Sequence, residues 1–153
     1  MKTISHTVID RTSEEAKASP RKRAVLLLHR HEDAVQRMLN AIEPESYIRP
    51  HKHEAPDKVE LYFALRGGAL VVQFDDKGVV TDTAVITPHG PILGVEIEPR
   101  TWHTLVALES GTVLLEIIEG PYDERTHKRF APWSPATESE GRDYLRDIVR
   151  LAT

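Results

Sequence analysis

Between Tyr47 and Gly120 the apolar residues recur at every second position, and this alternation restricts the possible folds more than any other feature. The segments YIRPHKH, VELYFALR, ALVVQFDD, VVTDTAVIT, ILGVEIEP, WHTLVAL and TVLLEIIEG are all short. RGG, DDKG, PHGP, EPR and ESG stand between them. Period two marks a strand with two unlike faces, and short strands cut by Gly, Pro and Asp predict an antiparallel sandwich or barrel. AVLLLH at 24–29 reads as one more strand. The chain of 153 residues suits a single domain over 1–153, with a barrel core over about 24–120.

Helices are expected at both ends. The segment 9–19 has mixed polarity. HEDAVQRMLNAI places Val35, Met38, Leu39 and Ile42 at i, i+3, i+4 and i+7, one apolar helix face closed by Pro44. Together these predict an N-terminal helical region over 9–42. After an irregular, Pro- and aromatic-rich stretch, YLRDIVRLA sets Leu145, Ile148, Val149 and Ala152 on one helical face, giving a C-terminal segment and helix over 121–153.

Composition narrows the chemistry. With no cysteine, disulfides, thiolate metal sites and cysteine nucleophiles are excluded. The formal net charge of −4 gives no pull toward nucleic acid or anionic membrane. The one basic knot, PRKR at 20–23, reads as a solvated turn or an anion contact at a subunit edge. No stretch reaches the ~18 apolar residues of a membrane span, and the N-terminus lacks a signal-peptide core, so a cytoplasmic protein is expected.

The polar residues inside the strands carry the functional signal. His51 and His53 are two apart and so point the same way. In VELYFALR, Glu60, Tyr62 and Ala64 share the face opposite Val59, Leu61, Phe63 and Leu65. That face meets either solvent or a barrel interior that needs a carboxylate. His103 starts a strand after the turn EPR, with Trp102 on the other face. Three imidazoles and one carboxylate suit one divalent first-row transition metal, Fe, Mn, Ni, Co or Zn, with positions left for water or ligand.

HKHEAPDKVELYFALRG resembles the first motif of the cupin superfamily, and its Glu60-to-Gly67 spacing matches. The gap from His53 to Glu60 is longer than usual. EPRTWH resembles the second motif, although Glu98 and Arg100 stand where Pro and Gly are usual, and Ala107 where Asn is usual. More widely, SPRKR, VQRMLNAIEPESYIRPHKH, KVELYFALRG, FDDKG, RTWHTLVAL, LLEIIEGPYD and KRFAPWSP resemble the WbuC-type cupin metalloproteins over about 19–135. These are small proteins often associated with surface-polysaccharide gene clusters. The resemblance implies an all-β fold, a cupin-type double-stranded β-helix (jelly-roll barrel) with short N-terminal and C-terminal helices. It also implies a metal at His51, His53, Glu60 and His103, and supplies no established reaction.

Other polar residues are candidates for a pocket. Glu116, flanked by aliphatics in VLLEII, must be paired, neutral or facing a wet cavity. Arg49 and Tyr47 share the face of His51 and His53; Arg49 holds an anionic substrate or pairs with Glu116. Tyr62 and Lys58 fall on the Glu60 face. Arg37 and Asn40 lie on the polar side of the predicted helix. Tyr122, Lys128 and Trp133 belong to a segment that closes one barrel end, Trp133 by packing. His29 and His31 form a second His-x-His without a partner motif, and His6, His89 and His127 read as exposed loop residues. Glu116 and Tyr62 are therefore the catalytic candidates, with Arg49, Lys58, Tyr47, Arg37, Tyr122 and Lys128 as substrate-binding candidates.

The expected function is metal Lewis-acid chemistry on a sugar or sugar phosphate, isomerase- or epimerase-like, or an iron-dependent oxygenation. The alternative is a non-catalytic metal-dependent binding or sensing module. Small cupins often pair through sheet edges, so a homodimer is expected.

Overall fold

The computed structural model describes residues 1–152, with side chains to Arg150. Helix α1 (His6–Ala18) opens the chain. Strands β1 (Arg23–Leu27), β2 (Val35–Ile42), β3 (His51–Lys52), β4 (Glu60–Arg66) and β5 (Ala69–Phe74) follow. Next come β6 (Val80–Ile86), β7 (Gly94–Ile97), β8 (Trp102–Ala107), β9 (Thr112–Glu119) and β10 (Arg129–Phe130), and helix α2 (Glu138–Ala152) closes the chain. The strands form two five-stranded sheets, β1-β2-β9-β4-β7 and β10-β3-β8-β5-β6, with every pairing antiparallel. This is an all-β jelly roll with a short helix at each end: the alternation predicts its antiparallel strands, and the cupin resemblance its jelly-roll form.

The N-terminal expectation needs correction. Helix ends at Ala18, and 35–42 is a strand, not a helix. β2 is hydrogen-bonded on both edges, to β1 through pairs such as Leu26↔Leu39 and to β9 through pairs such as Met38↔Glu116. A short run that fits both periods is decided by whichever tertiary partners are available. Here two neighbouring strands supply ladder partners for its backbone. Leu39 and Ala41 pack with Ile9 and Ala16 of α1 and with Val113, so α1 covers the outer face of the first sheet. Ser5 caps α1, its hydroxyl accepting from the Val8 N–H.

The second sheet is covered by α2. Leu145 and Ile148 pack on Leu70, Val72, Phe74, Trp102 and Val106, with Val149 against the same cluster. The predicted helix face is thus present, except that the Ala152 side chain lies outside the described residues. Thr137 caps its start: the Glu140 N–H donates to Thr137 Oγ1 at 3.4 Å, and the Thr137 hydroxyl donates to Glu140 Oε2 at 2.7 Å. Between the sheets lies the barrel core of Ile42, Tyr62, Ala64, Val71, Ile97, Leu105 and Leu114.

In β4 the inner face is Glu60, Tyr62 and Ala64, all buried, while Phe63 is exposed. The apolar stripe Val59–Leu65 is therefore not the one that enters the barrel. Gly67 follows β4, with φ +67°; a Cβ there would stand 2.4 Å from Thr112 Oγ1. Both the backbone angle and the close approach of β9 call for glycine.

Candidate metal centre

His51 of β3 pairs across the ladder with His103 of β8. His53 lies just beyond β3, and Glu60 begins β4, opposite Ile118 of β9. The loop between His53 and Glu60 is tied to the turn before His103: the Arg100 N–H donates to the His53 carbonyl at 2.9 Å, and the Arg100 guanidinium pairs with Asp57 at 2.9 Å. Arg100 adopts φ +65°, a left-handed conformation that favours glycine, the residue usual at this place in the motif that EPRTWH resembles. That turn brings His103 to the histidines of the first motif despite their long spacing from Glu60.

All four side chains are buried, and their ligand atoms lie within 4.8 Å of one another. Each imidazole is oriented through Nδ1 by a backbone carbonyl: His51 by Arg49 at 2.9 Å, His53 by His127 at 2.6 Å, and His103 by Thr101 at 2.9 Å. A proton on Nδ1 leaves Nε2 as a lone pair. The Nε2 atoms of His51 and His103 have no hydrogen-bond partner among the described residues. His53 Nε2 and His103 Nε2 stand 3.2 and 2.9 Å from Glu60 Oε2. Buried, unsatisfied lone pairs converging on a carboxylate are costly unless a cation lies between them. The residues present fit a divalent metal.

The electrostatics agree. Burial, then the charge of Lys128, holds His51 well below the usual imidazole range, so it stays neutral. Burial alone would raise Glu60, but the adjoining His103 and His53 rings outweigh it and keep the carboxyl well below its ordinary value. A neutral imidazole and an ionised carboxylate are the forms that ligate.

Beside the centre, the Tyr62 hydroxyl donates to Glu60 Oε1 at 2.7 Å. Burial, then the charges of Glu116 and Glu60, pushes Tyr62 well above 10. Glu116 sits across the ladder from Tyr62, and the Asn40 amide donates to its Oε2. Burial, then the charge of Glu60, pushes Glu116 up to about 8, so it carries a proton at neutral pH. It makes no ion pair among the described residues, because Arg49 is engaged elsewhere. Arg49 bonds Ser134 Oγ at 3.0 Å and the Ala131 carbonyl at 3.1 Å.

A cavity of about 350 Å³ opens over His51, Tyr62 and Glu116, walled in part by Tyr47, Arg49 and Lys128. Tyr47 contributes its ring, while its hydroxyl donates to the Pro135 carbonyl at 2.8 Å. Tyr122 lines an adjoining space, its ring centroid 4.8 Å from those of His31 and His127.

Two expected substrate residues lie elsewhere. Lys58 is buried outside the cavity, its ammonium donating to the Pro121 carbonyl at 2.7 Å; it precedes β4, so the alternation of that strand does not govern it. Arg37 lies on the face of β2 turned from the cavity and pairs with Asp33 at 3.0 Å. Its helical placement was the source of the error.

His127 also departs from the exposed loop expected: its ring is half-buried, 5.3 Å from His53, and burial followed by the charge of Lys128 lowers it to about 3. His29 is fixed by Arg37, whose N–H donates to Nδ1 at 2.8 Å. Asn40, Arg21 and Arg23 reach the cavity without having been singled out as site residues. For the two arginines the basic knot at 20–23 was the only signal, whereas Asn40 was already named beside Arg37.

A family model described as "Domain of unknown function (DUF6016)" matches residues 4–86, more than half of the chain. No curated protein matches. Among solved structures, KdgF from Halomonas sp. is 15% identical with a TM-score of 0.53, over 70% of this chain and 84% of that one. TT1209 from Thermus thermophilus is 20% identical with a TM-score of 0.55, over 78% and 97%. The capsular polysaccharide assembling protein CapF from Staphylococcus aureus is 14% identical with a TM-score of 0.60, over 73% of this chain and only 30% of its own. These neighbours have the cupin fold, and at such identities the likeness concerns the fold alone.

Proposed function

The chain belongs to the family described as Domain of unknown function (DUF6016), a description that names no chemistry, and from the geometry of its centre we propose a metal-dependent cupin that acts on a polar, anionic, sugar-like small molecule. His51, His53, Glu60 and His103 are its ligand residues. The observation that carries this reading is the shared arrangement of the three imidazoles, each turned by a backbone carbonyl so that Nε2 faces Glu60. A divalent ion bound there supplies Lewis acidity toward a ligand oxygen.

The surrounding residues divide the remaining work. Glu116 holds a proton at its carboxyl, positioned by Asn40, and exchanges it with the ligand in an isomerase- or epimerase-like step. Tyr62 fixes the Glu60 carboxylate through its hydroxyl and flanks the same proton. Lys128 provides positive charge at the cavity wall, and Tyr47, Arg49 and Tyr122 shape it. A WbuC-type role in surface polysaccharide synthesis, in the cytoplasm and as a homodimer, is part of this reading. CapF, a capsular polysaccharide assembling protein of similar fold, supports the polysaccharide setting by analogy.

The test starts with metal analysis of protein purified without added metal, followed by turnover on a panel of sugar phosphates and nucleotide sugars. Glu116→Gln is expected to keep the metal and lose roughly 10²–10⁴-fold in rate. A chain without stoichiometric metal would end the proposal. Full metal with no turnover by the unaltered protein favours a binding module. That second reading draws on the Tyr62 hydroxyl, whose proton is already committed to Glu60.

A further inference from the structure

The cavity over the histidines is one half of a larger cleft. The second half, about 400 Å³, opens beside His31, Tyr122 and His127. Arg21, Val25, Asn40, Glu116 and Lys128 line both halves. Three cations therefore collect where the halves meet or beside it: Arg21, Arg23 and Lys128. The Lys128 ammonium makes no hydrogen bond or ion pair among the described residues. Arg23 is largely withdrawn from solvent, its side chain 17% exposed. Its Nη1 is anchored to Ser46 Oγ at 3.1 Å and to the Tyr47 carbonyl at 2.9 Å, which holds the guanidinium in place.

One chain carboxylate already answers these cations, and it does so poorly. Glu138, at the first turn of α2, offers Oε1 to Arg21 Nε at 3.4 Å and to Arg23 Nη2 at 3.3 Å. Charge-assisted bonds of this type normally close to about 2.7–2.9 Å. Its second oxygen, Oε2, is buried with no partner among the described residues. Lys128 is left unanswered. A group with more terminal oxygens and a second negative charge would engage both guanidinium groups and the ammonium together. Phosphate has that form, and guanidinium forks match it geometrically.

We propose that the junction of the cleft binds the phosphate group of the ligand through Arg21, Arg23 and Lys128, and that Glu138 is the internal carboxylate it displaces. This deepens the proposed function, on which it rests, by fixing the ligand class as phosphorylated. The PRKR knot thereby becomes part of the binding site.

Inorganic phosphate is the probe, titrated calorimetrically into the full chain in metal-loaded and metal-free forms, with acetate as the carboxylate control. Saturable binding at one site is expected in both forms, with acetate about tenfold weaker or more. Arg21→Gln and Lys128→Gln should each weaken phosphate about tenfold while metal content is unchanged. Arg23→Gln also removes the anchors to Ser46 and Tyr47, so the decisive variants are the other two. Glu138→Gln should tighten phosphate several-fold, since the competing charge is gone. Phosphate affinity indifferent to the Arg21→Gln, Lys128→Gln double variant overturns the site, as does acetate binding as tightly as phosphate. Phosphate binding that vanishes with the metal and ignores both cations would place the anion on the ion instead, and also overturns it. A chain that binds phosphate through these cations but takes up no metal keeps this site and refutes the metal reading.

Discussion

Arg100 carries φ +65°, a backbone region that costs an L-residue with a Cβ about 1–2 kcal/mol and glycine almost nothing. What its side chain returns is small: the ion pair with Asp57 is exposed on both sides, and such pairs contribute little. Its backbone N–H, which holds the His53 carbonyl, does not depend on the side chain. Arg100→Gly is therefore expected to stabilise the protein by about 1 kcal/mol in urea unfolding, with metal content unchanged. Destabilisation would show that the Asp57 contact holds the turn. The departure from the cupin motif at this position was visible in the sequence; that Arg100 takes a left-handed backbone angle was not.

Among the elements, α2 sets local propensity against packing. Gly141 lies within the helix, where alanine is ordinarily better by about 1 kcal/mol. A Cβ at 141, however, would fall 2.1 Å from the Tyr47 ring. Tyr47 is buried in the cluster that α2 covers and also forms part of the cavity wall, so the ring has little room to retreat. Gly141→Ala should destabilise by about 1–3 kcal/mol, the usual cost of overpacking, and a higher melting temperature would contradict this account. The same contest explains 35–42. Its apolar residues fit a helix face, yet both backbone edges are taken by β1 and β9. The C-terminal helix was legible because its apolar face, Leu145, Ile148 and Val149, fits only a helical period, whereas the period of 35–42 does not exclude a strand.

For the whole molecule, the buried centre links metal binding to stability. An ion that binds only the folded chain stabilises it by mass action, about 2.7 kcal/mol at a hundredfold excess over Kd. In a chain of this size that raises the melting temperature by roughly 5–10 °C. Chelation should remove the shift, and His103→Ala should abolish it while the protein still folds. A melting temperature indifferent to metal would separate the centre from the stability of the barrel. Because α1 and α2 cover the outer faces of the two sheets, the barrel interior is divided between an apolar core and the polar centre.

The amino-acid sequence determined the alternation, and with it an antiparallel sandwich or barrel, because side chains on a strand point to opposite faces whatever their partners. It also placed His51 and His53 on one side and singled out Glu60, Glu116 and His103 as polar residues in apolar surroundings. The tertiary structure alone decided which face of β4 is inside, that Lys58 and Arg37 point away from the cavity, and that Arg21, Arg23 and Glu138 meet at its mouth. Glu138 lies more than a hundred residues from Arg21 and Arg23 along the chain. Local periodicity carries no information about contacts at that separation; only the packing of α2 onto the folded sheets creates them.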